Sequence, residues 1–330
     1  MQVVITGAAG MLGRKLAARL VRDGCIGRRE VDTLTLVDVE HAADPDDLPG
    51  NLVRTTADLS VPGTASDLVA AAPEVIFHLA AVVSGEAETD LGKGYRVNLD
   101  GTRLLFDAIR TRGGSERYCP RVVFASSVAV FGAPLPDVIG DEFFSTPLTS
   151  YGTQKAIGEL LLADYSRRGI LDGIALRLPT ICVRPGAPNR AASGFFSSIV
   201  REPLAGHEAV LPVGDDVRHW FASPRAAVGF LTHAAAIDLA PLGGRRALSL
   251  PGLCASVGEE LAALRRVGGE GVLRRIRREP DPAIARIVEG WPRAFDPQRA
   301  LALGFQAERS FDEIIAVHVE DELGGVIATG

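Results

Sequence analysis

Tyr151 and Lys155 are the two residues whose types and spacing most directly suggest a reaction. A separation of four residues puts both side chains on one face of a helix, where the lysine ammonium can favour the tyrosine phenolate. Such a tyrosine can take the proton from a substrate hydroxyl while a hydride leaves the same carbon for a bound acceptor. Ser127, with Ser126 beside it, follows a predicted strand and can hydrogen-bond that oxygen. These residues predict a catalytic triad of Ser127, Tyr151 and Lys155 that oxidises a secondary alcohol.

A glycine-rich turn, Gly7-Ala-Ala-Gly10-Met-Leu-Gly13, follows the first predicted strand and opens a helix. Gly7 suits a tight turn, Gly10 lets the backbone approach a pyrophosphate, and Gly13 allows the helix to pack closely on the strand. The helix start, with Met11 and Leu12, offers free N–H groups to phosphates. A glycine triplet alone would equally suit a structural turn, but the strand before it and the helix after it predict a dinucleotide site.

Asp38 at the end of the second predicted strand indicates which dinucleotide binds. Its carboxylate is placed to accept from the adenosine ribose hydroxyls and would repel the 2′-phosphate of NADP. No arginine occupies residues 39–41 to compensate for that charge. The sequence therefore predicts NAD as the cofactor; the alternative for Asp38 is the capping of a turn.

Further cofactor contacts are predicted where later strands end. Asp58 with Leu59 suits the amino group and ring face of adenine. Small residues after the strand predicted at 75–77 leave room for the cofactor to pass over the sheet edge, and they are Leu79, Ala80 and Ala81. His78, which precedes them, is expected to be a packed histidine rather than an acid or a base.

Strands and helices alternate in the first half of the chain, which predicts βαβ units and a parallel sheet covered on both faces. Strands are predicted at residues 3–5, 34–37, 75–77, 122–124 and 174–178, and helices at 12–23, 97–109 and 151–165. The predicted fold class is α/β, a Rossmann-type doubly wound sheet. Residues 1–175 form the NAD-binding domain in this prediction. Residues 176–330 form mainly a smaller C-terminal substrate-binding lobe, with segments that return to the first domain.

Composition excludes several classes of protein. The 330 residues are 47% hydrophobic and 23% charged, as in globular proteins, and the net charge of -6 argues against nucleic acid as a partner. Four cysteines without ligand spacing predict neither a metal site nor a disulfide framework. Together with an N-terminus unlike a signal peptide, they predict a cytoplasmic location. The apolar stretch 231–242 is interrupted by polar residues and proline, so no membrane span is expected.

With these motifs the sequence resembles the extended short-chain dehydrogenase/reductase family, also described as the NAD-dependent epimerase/dehydratase family. The resemblance lies in Gly7-x-x-Gly10-x-x-Gly13, His78-Leu-Ala-Ala, Val97-Asn98-Leu-Asp-Gly-Thr, Ser126-Ser-Val-Ala-Val-Phe-Gly132 and Tyr151-x-x-x-Lys155. It implies the doubly wound fold, the triad given above and a homodimer. Asn98 matches the structural asparagine of the family, and Asn98, Tyr151 and Lys155 are all counted with the predicted cofactor-binding residues. Phe131 departs from the tyrosine that nucleotide-sugar members usually carry, which removes a hydroxyl near the site.

The substrate is predicted from a polar loop after the last strand of the first domain. Arg184, Asn189 and Ser193 bring positive charge and hydrogen-bonding groups to this loop, which suits a small polyhydroxy carboxylate. Arg218 is a second candidate anchor, and Arg184 is favoured; its alternative is an ion pair within the lobe. The remaining predicted substrate contacts are Ser126, Ser127 and Tyr151.

The function predicted from these residues and the resemblance is NAD-dependent oxidation of a short sugar acid. The oxidised hydroxyl is the one next to the carboxylate, and the product is the 2-oxo acid. Two alternatives stay open. A nucleotide-sugar epimerase or dehydratase uses the same triad, and a catalytically silent NAD-sensing protein can have the same fold.

Overall fold

The elements of the computed structural model follow the alternation that the sequence predicts. It describes residues 1–41, 52–113, 118–186 and 192–328. The strands are β1 (Gln2–Thr6), β2 (Cys25–Ile26), β3 (Arg29–Glu30), β4 (Thr33–Asp38), β5 (Leu52–Thr56), β6 (Val75–His78), β7 (Arg121–Ser127), β8 (Ile139–Gly140), β9 (Asp172–Leu178), β10 (Thr180–Ile181), β11 (Ala209–Leu211), β12 (Arg218–Ala222), β13 (Ala247–Ser249), β14 (Leu253–Ser256), β15 (Ile276–Arg278) and β16 (Phe295–Asp296).

The helices alternate with these strands in the first half of the chain. They are α1 (Met11–Asp23), α2 (Thr64–Ala70), α3 (Ser84–Thr89), α4 (Leu91–Gly94), α5 (Gly101–Arg112), α6 (Ser150–Arg167), α7 (Gly194–Leu204), α8 (Pro224–Ala236), α9 (Val257–Gly268), α10 (Glu270–Leu273), α11 (Pro282–Glu289), α12 (Gln298–Ala302) and α13 (Phe311–Glu322). A π-helical segment, Tyr95–Asp100, precedes α5, so the helix predicted at 97–109 begins in a different helical form. None of the described helices is long and apolar enough to cross a membrane.

Seven strands form the central sheet in the spatial order β13-β9-β7-β6-β1-β4-β5. Their pairings, such as β1 with β4 and β1 with β6, are parallel. The chain builds outward from β1 to β5, then returns to the other side of β1 with β6. This reversal is the topological switch point at which doubly wound sheets bind their ligands, at the carboxyl ends of the strands. The predicted fold class is therefore confirmed.

The strands of this sheet are apolar because both faces are covered by other elements. All four residues of β6 are buried, and Phe77 has no exposed surface. Helix α1 buries the stripe formed by Leu16, Ala17 and Leu20, as its amphipathic pattern predicts. Gly24 ends this helix with a positive φ of 65°, a conformation that glycine adopts at little cost. Local sequence and packing thus agree in the elements that carry the cofactor motifs.

The chain forms two compact units, and each unit consists of segments that are separated in the sequence. The first unit comprises residues 1–130, 149–177 and 228–249, and the second comprises 131–148, 178–227 and 250–330. The predicted division at residue 175 differs from these bounds at residues 131–148, which belong to the second unit because β8 pairs with β16. Residues 228–249 belong to the first unit because β13 pairs with β9, and they are a returning segment of the kind that the prediction includes.

The second unit has its own core and small sheets. Strands β10, β12 and β14 form one sheet, and β11 pairs with β15. Apolar residues of α7, α9 and α13, such as Phe196, Leu264 and Ile314, fill the core. Glu260 of α9 is also fully buried, and neither of its carboxylate oxygens has a hydrogen-bond partner among the described residues. Burial raises the pKa of Glu260 well above its ordinary value, because the interior does not solvate the charged form.

Glu260→Met is expected to stabilise the protein, and more so at higher pH. The folded-state pKa of Glu260 lies above that of the unfolded chain, so both states hold the proton at low pH. As pH rises, the unfolded chain ionises first, and the folded state loses stability. We expect Tm to rise by roughly 2–5 °C at pH 8 and by less at pH 4.5. Glu289→Met, at an exposed glutamate that ends α11, is the control; an equal gain at both pH values would contradict the account.

Candidate active site

The glycine turn after β1 leaves no space for side chains at two of its three glycines. Gly7 has a φ of 74°, and a Cβ there would lie 2.6 Å from the backbone nitrogen of Ala80. A Cβ at Gly13 would lie 2.2 Å from the carbonyl oxygen of Gly7. At Gly10 the one described atom within 4 Å of such a Cβ is that same Gly7 oxygen, at 3.3 Å. Backbone contacts thus require Gly7 and Gly13, whereas Gly10 leaves room for an approaching group.

Helix α1 begins at Met11 with Gly10 as its N-cap, and no described side chain caps it. The first N–H groups of a helix lack intrahelical partners, so this end attracts an anion. Asp38, at the end of β4, lies beside the turn: its Oδ2 accepts from the backbone N–H of Ala9 at 2.9 Å. A phosphate-binding helix end and a ribose-binding carboxylate in one place fit a dinucleotide whose adenosine ribose lies at Asp38.

Asp38→Asn is expected to reduce the preference for NAD over NADP by about tenfold or more. A tenfold change corresponds to about 1.4 kcal/mol of binding free energy. The asparagine oxygen can still accept from Ala9, but the charge that repels a 2′-phosphate is gone. The ratio of kcat/KM for the two cofactors measures the effect, and Asp38→Ala, which also loses the hydrogen bond, is its companion. Comparable kcat/KM for both cofactors in the wild type would contradict the assignment.

Asp58 and Leu59 both make contacts within the first unit. The Oδ1 atom of Asp58 accepts from the backbone N–H and the hydroxyl of Ser60, at 2.8 and 2.7 Å. Leu59 is buried in the hydrophobic core. The side chain of Leu59 thus serves packing, and the adenine contact of this pair stays a prediction.

His78 is a packed histidine in a chain of hydrogen bonds. The hydroxyl of Thr102 donates to the backbone oxygen of Asn98, so it accepts from His78 Nε2 at 2.9 Å. His78 Nδ1 then accepts from the hydroxyl of Thr6 at 2.8 Å. Burial and the nearby Lys155 lower the pKa of His78 to about 3. The ring is neutral with both nitrogens occupied, which agrees with its predicted structural role.

Asn98, in the π-helical segment, joins two parts of the first unit. Its Oδ1 accepts from the backbone N–H of Val82 at 2.8 Å, and its Nδ2 donates to Oε1 of Gln154 at 2.7 Å. Val82 directly follows Leu79–Ala81, and Gln154 lies in α6 between Tyr151 and Lys155. Asn98 therefore holds the predicted cofactor-contact segment against the helix of the triad; its own contact with the cofactor stays a prediction.

Helix α6 presents Tyr151 and Lys155 on one side. The helix starts where the Thr149 hydroxyl accepts from the N–H of Gly152 at 3.1 Å. The Nζ of Lys155 lies 5.6 Å from the centre of the Tyr151 ring and donates to the carbonyl oxygen of Ala125 at 2.8 Å. Burial lowers the pKa of Lys155 to about 8, and the Glu159 carboxylate opposes this shift. Both states of the Lys155 amine are therefore accessible near neutral pH.

The two serines at the end of β7 face opposite sides of the strand, as the period of a strand requires. Ser127 is half-buried, and its Oγ accepts from the N–H of Ala129 at 3.1 Å, so the hydroxyl can still donate. Ser126 is buried and donates to Oε1 of Glu159 at 2.5 Å. The Ser126 hydroxyl is thus directed to Glu159 rather than left to donate to a substrate; its substrate contact, like that of Ser127, stays a prediction.

Two glycines of α6 bring the helix close to β7, and the sequence interpretation gave them no role. A Cβ at Gly152 would lie 2.1 Å from the carbonyl oxygen of Ala129, in the turn after Ser127. A Cβ at Gly158 would lie 2.7 Å from the Phe124 ring. The close approach at Gly152 is what places the start of the triad helix against the turn that follows Ser127.

The predicted substrate residues Arg184, Ser193 and Arg218 lie in the second unit. Arg184 donates through Nε to the carbonyl oxygen of Ile181 at 3.0 Å and through Nη2 to the Ser193 hydroxyl at 3.2 Å. The structure thus brings Arg184 and Ser193 together, whereas Asn189 lies outside the described residues; their contact with a substrate stays a prediction. Arg218 is exposed, and its Nη1 lies 3.4 Å from a carboxylate oxygen of Glu259. Over the described residues, no group of three or more acidic, histidine or cysteine side chains could hold a metal ion.

Comparison with known proteins identifies the family. The model of the NAD dependent epimerase/dehydratase family matches residues 3–238. D-erythronate dehydrogenase from Cupriavidus necator is 47% identical over 325 residues, 97% of this chain and 98% of that protein. D-erythronate dehydrogenase from Haemophilus influenzae is 42% identical over 98% of this chain and 100% of its own length. A solved structure described as a nucleoside-diphosphate-sugar epimerase from Agrobacterium tumefaciens has a TM-score of 0.97 and 63% identity, and the match covers 98% of this chain and 95% of that chain. The chain therefore belongs to the NAD dependent epimerase/dehydratase family, and its cofactor is NAD.

Proposed function

We propose that this NAD-dependent dehydrogenase oxidises D-erythronate, a four-carbon sugar acid, at the hydroxyl next to the carboxylate and forms the 2-oxo acid. The observation that carries the proposal is the similarity to two D-erythronate dehydrogenases along almost the whole chain. That similarity includes the second unit, where the substrate-binding residues are predicted. The fold alone would not select a substrate, because one fold serves many reactions.

In the proposed reaction, Tyr151 takes the proton of the substrate hydroxyl as the carbon–oxygen double bond forms. The Lys155 ammonium favours the phenolate form of Tyr151, and the Ser127 hydroxyl donates to the substrate oxygen and sets its direction. Bound NAD supplies the acceptor for the hydride that leaves the same carbon. The glycine turn and Asp38 would hold the cofactor, with backbone at Met11, Leu12 and the segment 79–81 as further contacts.

Arg184 is the proposed anchor for the substrate carboxylate. Its guanidinium is fixed by the Ile181 carbonyl and the Ser193 hydroxyl, whereas the exposed Arg218 lies near Glu259, whose charge offsets its own. A fixed cation orients an acid at a lower entropic cost than a mobile one. We expect Arg184→Ala to raise KM for the acid by about tenfold or more and to change KM for NAD little. If Arg218→Ala alone has this effect, the anchor is misassigned.

The substrate proposal is tested by following NADH absorbance with two sets of substrates. D-erythronate and related four- and five-carbon sugar acids form one set, and UDP- and dTDP-sugars form the other. We expect sustained NADH release with D-erythronate. The description of the Agrobacterium tumefaciens structure favours a nucleotide-sugar epimerase as the second candidate. An epimerase returns the hydride to its substrate, so interconverted UDP-sugars without NADH accumulation would overturn the proposal. NAD binding without turnover of either set would leave the NAD-sensing alternative.

We also propose a cytoplasmic location and a homodimer. The four cysteines lie far apart in the sequence without the spacing of a disulfide framework, which suits a reducing compartment. The predicted homodimer has its support in the family resemblance. Light scattering of the purified protein tests it, and a mass near the 34.9 kDa of one chain would contradict it.

A further inference from the structure

A chain of polar side chains lies next to the triad and takes no part in the proposed proton transfer; Ser126 and Glu159 are buried, and Arg177 is half-buried. Arg177 in β9 donates to Glu159 in α6 through Nε, at 2.9 and 3.1 Å from the two carboxylate oxygens, and through Nη2 at 2.7 Å. Glu159 accepts in turn from the Ser126 hydroxyl at 2.5 Å. Glu159 is 5% exposed and Ser126 is 2% exposed, so this chain is sheltered from water.

These groups connect the elements that carry the triad. Ser126 lies in the chain between Ala125 and Ser127. The carbonyl oxygen of Ala125 accepts a hydrogen bond from Lys155. Glu159 follows Lys155 by four residues and so lies on the same side of α6. Through Glu159, the end of β7 is bound to the helix of Tyr151 and to the neighbouring strand β9. A change at Glu159 can therefore alter the position of Ser127 and Lys155 without contacting the substrate.

Stability alone does not account for such a group. Burying an ion pair costs desolvation energy, and apolar residues of similar size often serve stability equally well. The bidentate contact with Arg177 and the short contact with Ser126 instead satisfy both carboxylate oxygens in one orientation. A fixed orientation is what a supporting group of a catalytic site needs, because a shift of about 1 Å can cost about a hundredfold in rate.

We propose that Arg177, Glu159 and Ser126 form a positioning network that sets Ser127 and Lys155 relative to Tyr151, with Glu159 as the counter-charge of the Lys155 ammonium. The network deepens the proposed function, because it rests on the assignment of proton transfer to the triad. Its members are positioning residues, since they act through Ser127 and Lys155. Loss of the network should lower kcat and the pH at which Lys155 loses its charge, and it should leave NAD binding nearly unchanged.

The surroundings of Lys155 make Glu159 the expected source of this charge effect. Among the described residues, the titratable groups that interact with Lys155 are His78 on β6 and Tyr151 and Glu159 on α6. On β7 it meets the Phe124 ring at 4.9 Å and the Ala125 carbonyl. His78 is neutral, because its pKa is lowered to about 3. Glu159 is the carboxylate among these neighbours of Lys155, and it forms an ion pair with Arg177 on β9. Glu159 is therefore the group that brings negative charge close to the Lys155 ammonium.

The first test observes Lys155 directly and needs no substrate. The chain contains three lysines, Lys15, Lys93 and Lys155, so NMR of protein with ¹³C-labelled lysine resolves each titration. We expect Lys155 to titrate near pH 8 in the wild type and at a lower pH in Glu159→Gln. Asp172→Asn is the control, because Asp172, the first residue of β9, is likewise a carboxylate paired with arginines, in its case Arg121 and Arg246. An unchanged Lys155 titration in Glu159→Gln would overturn the counter-charge role.

The second test separates positioning from substrate binding. Ser126→Ala removes one hydrogen bond and keeps the Glu159–Arg177 ion pair. We expect kcat to fall about tenfold while KM for the acid and Kd for NAD stay within about twofold. An unchanged kcat would overturn the positioning role, and so would a raised KM for the acid with kcat retained, since that result makes Ser126 a substrate ligand.

A double variant tests whether the network serves only stability. Glu159→Gln removes the negative charge that faces the half-buried guanidinium of Arg177, so this variant can fail to fold. Glu159→Leu with Arg177→Met removes both charges and retains apolar volume. We expect this variant to fold, to keep a low kcat and to lose activity at a lower alkaline pH than the wild type. A folded double variant with the kcat and the pH profile of the wild type would overturn the proposal.

The proposed function can fail separately from the network. If the wild type binds NAD but does not oxidise D-erythronate, the proposed function is refuted. The lysine titration would then still show whether Glu159 is the counter-charge of Lys155.

Discussion

Tyr151→Phe is expected to lower kcat about a thousandfold and to leave Kd for NAD within about threefold of the wild type. The substitution removes the oxygen that takes the substrate proton and retains the aromatic ring beside Lys155, whose Nζ lies 5.6 Å from the ring centre. Steady-state kinetics with D-erythronate and calorimetric titration with NAD measure the two quantities. The large loss should appear in kcat rather than in KM, because the missing contact is made in the transition state.

Tyr165→Phe is the matched control for this prediction. Tyr165 lies in the same helix, and its hydroxyl donates to Asp107 at 2.8 Å rather than to a group of the triad. We expect its kcat to stay close to that of the wild type. A Tyr151→Phe variant that kept more than a few percent of wild-type kcat would show that another group takes the proton. The neutral, doubly hydrogen-bonded His78 would then need a different environment from the one observed.

Gly13→Ala is expected to weaken NAD binding by about tenfold or more, which corresponds to about 1.4 kcal/mol. The added Cβ would lie 2.2 Å from the Gly7 oxygen and 2.7 Å from the Ala8 Cα, and both are backbone atoms. The turn must therefore move, and the approach of the helix end to the pyrophosphate is lost. Calorimetric titration with NAD on protein shown to be folded by circular dichroism measures the effect.

Gly229→Ala is the control for Gly13→Ala. Gly229 lies within helix α8, and apart from its chain neighbours and the backbone of its own helix no described atom lies within 4 Å of an added Cβ. Alanine also favours a helix interior relative to glycine, so this variant should bind NAD like the wild type with equal or greater stability. Wild-type affinity for NAD in a folded Gly13→Ala protein would contradict the role of the turn.

The sequence predicts the parts of the site that lie in single segments. The glycine turn, Asp38 at a strand end and the Tyr151–Lys155 spacing each depend on local geometry that residue types and periodicity indicate. The opposite directions of Ser126 and Ser127 also follow from strand alternation, a signal that the sequence interpretation did not apply to this pair. The position of Glu159 could have been predicted in the same way. It follows Lys155 by four residues, about one helical turn, which places it on the same side of α6 as Lys155.

Other parts depend on pairings that no local pattern indicates. Glu159 meets Arg177 of a different strand, and Gly152 matters because of the Ala129 oxygen that it approaches. Residues 131–148 belong to the second unit because β8 pairs with β16, about 150 positions later in the chain. From the sequence, Glu260 would be expected on the exposed face of an amphipathic helix. Tertiary packing places it in the core instead.

The central claim is that the triad oxidises the hydroxyl next to the carboxylate with NAD, and D-erythronate carrying deuterium at that carbon tests it most directly. After incubation with NAD, mass spectrometry of the nicotinamide product measures where the deuterium has gone. We expect deuterated NADH to accumulate in equal amount with a four-carbon 2-oxo acid, and neither product to form with Tyr151→Phe. NADH without deuterium would contradict the assigned carbon, and no NADH at all would contradict the proposed reaction.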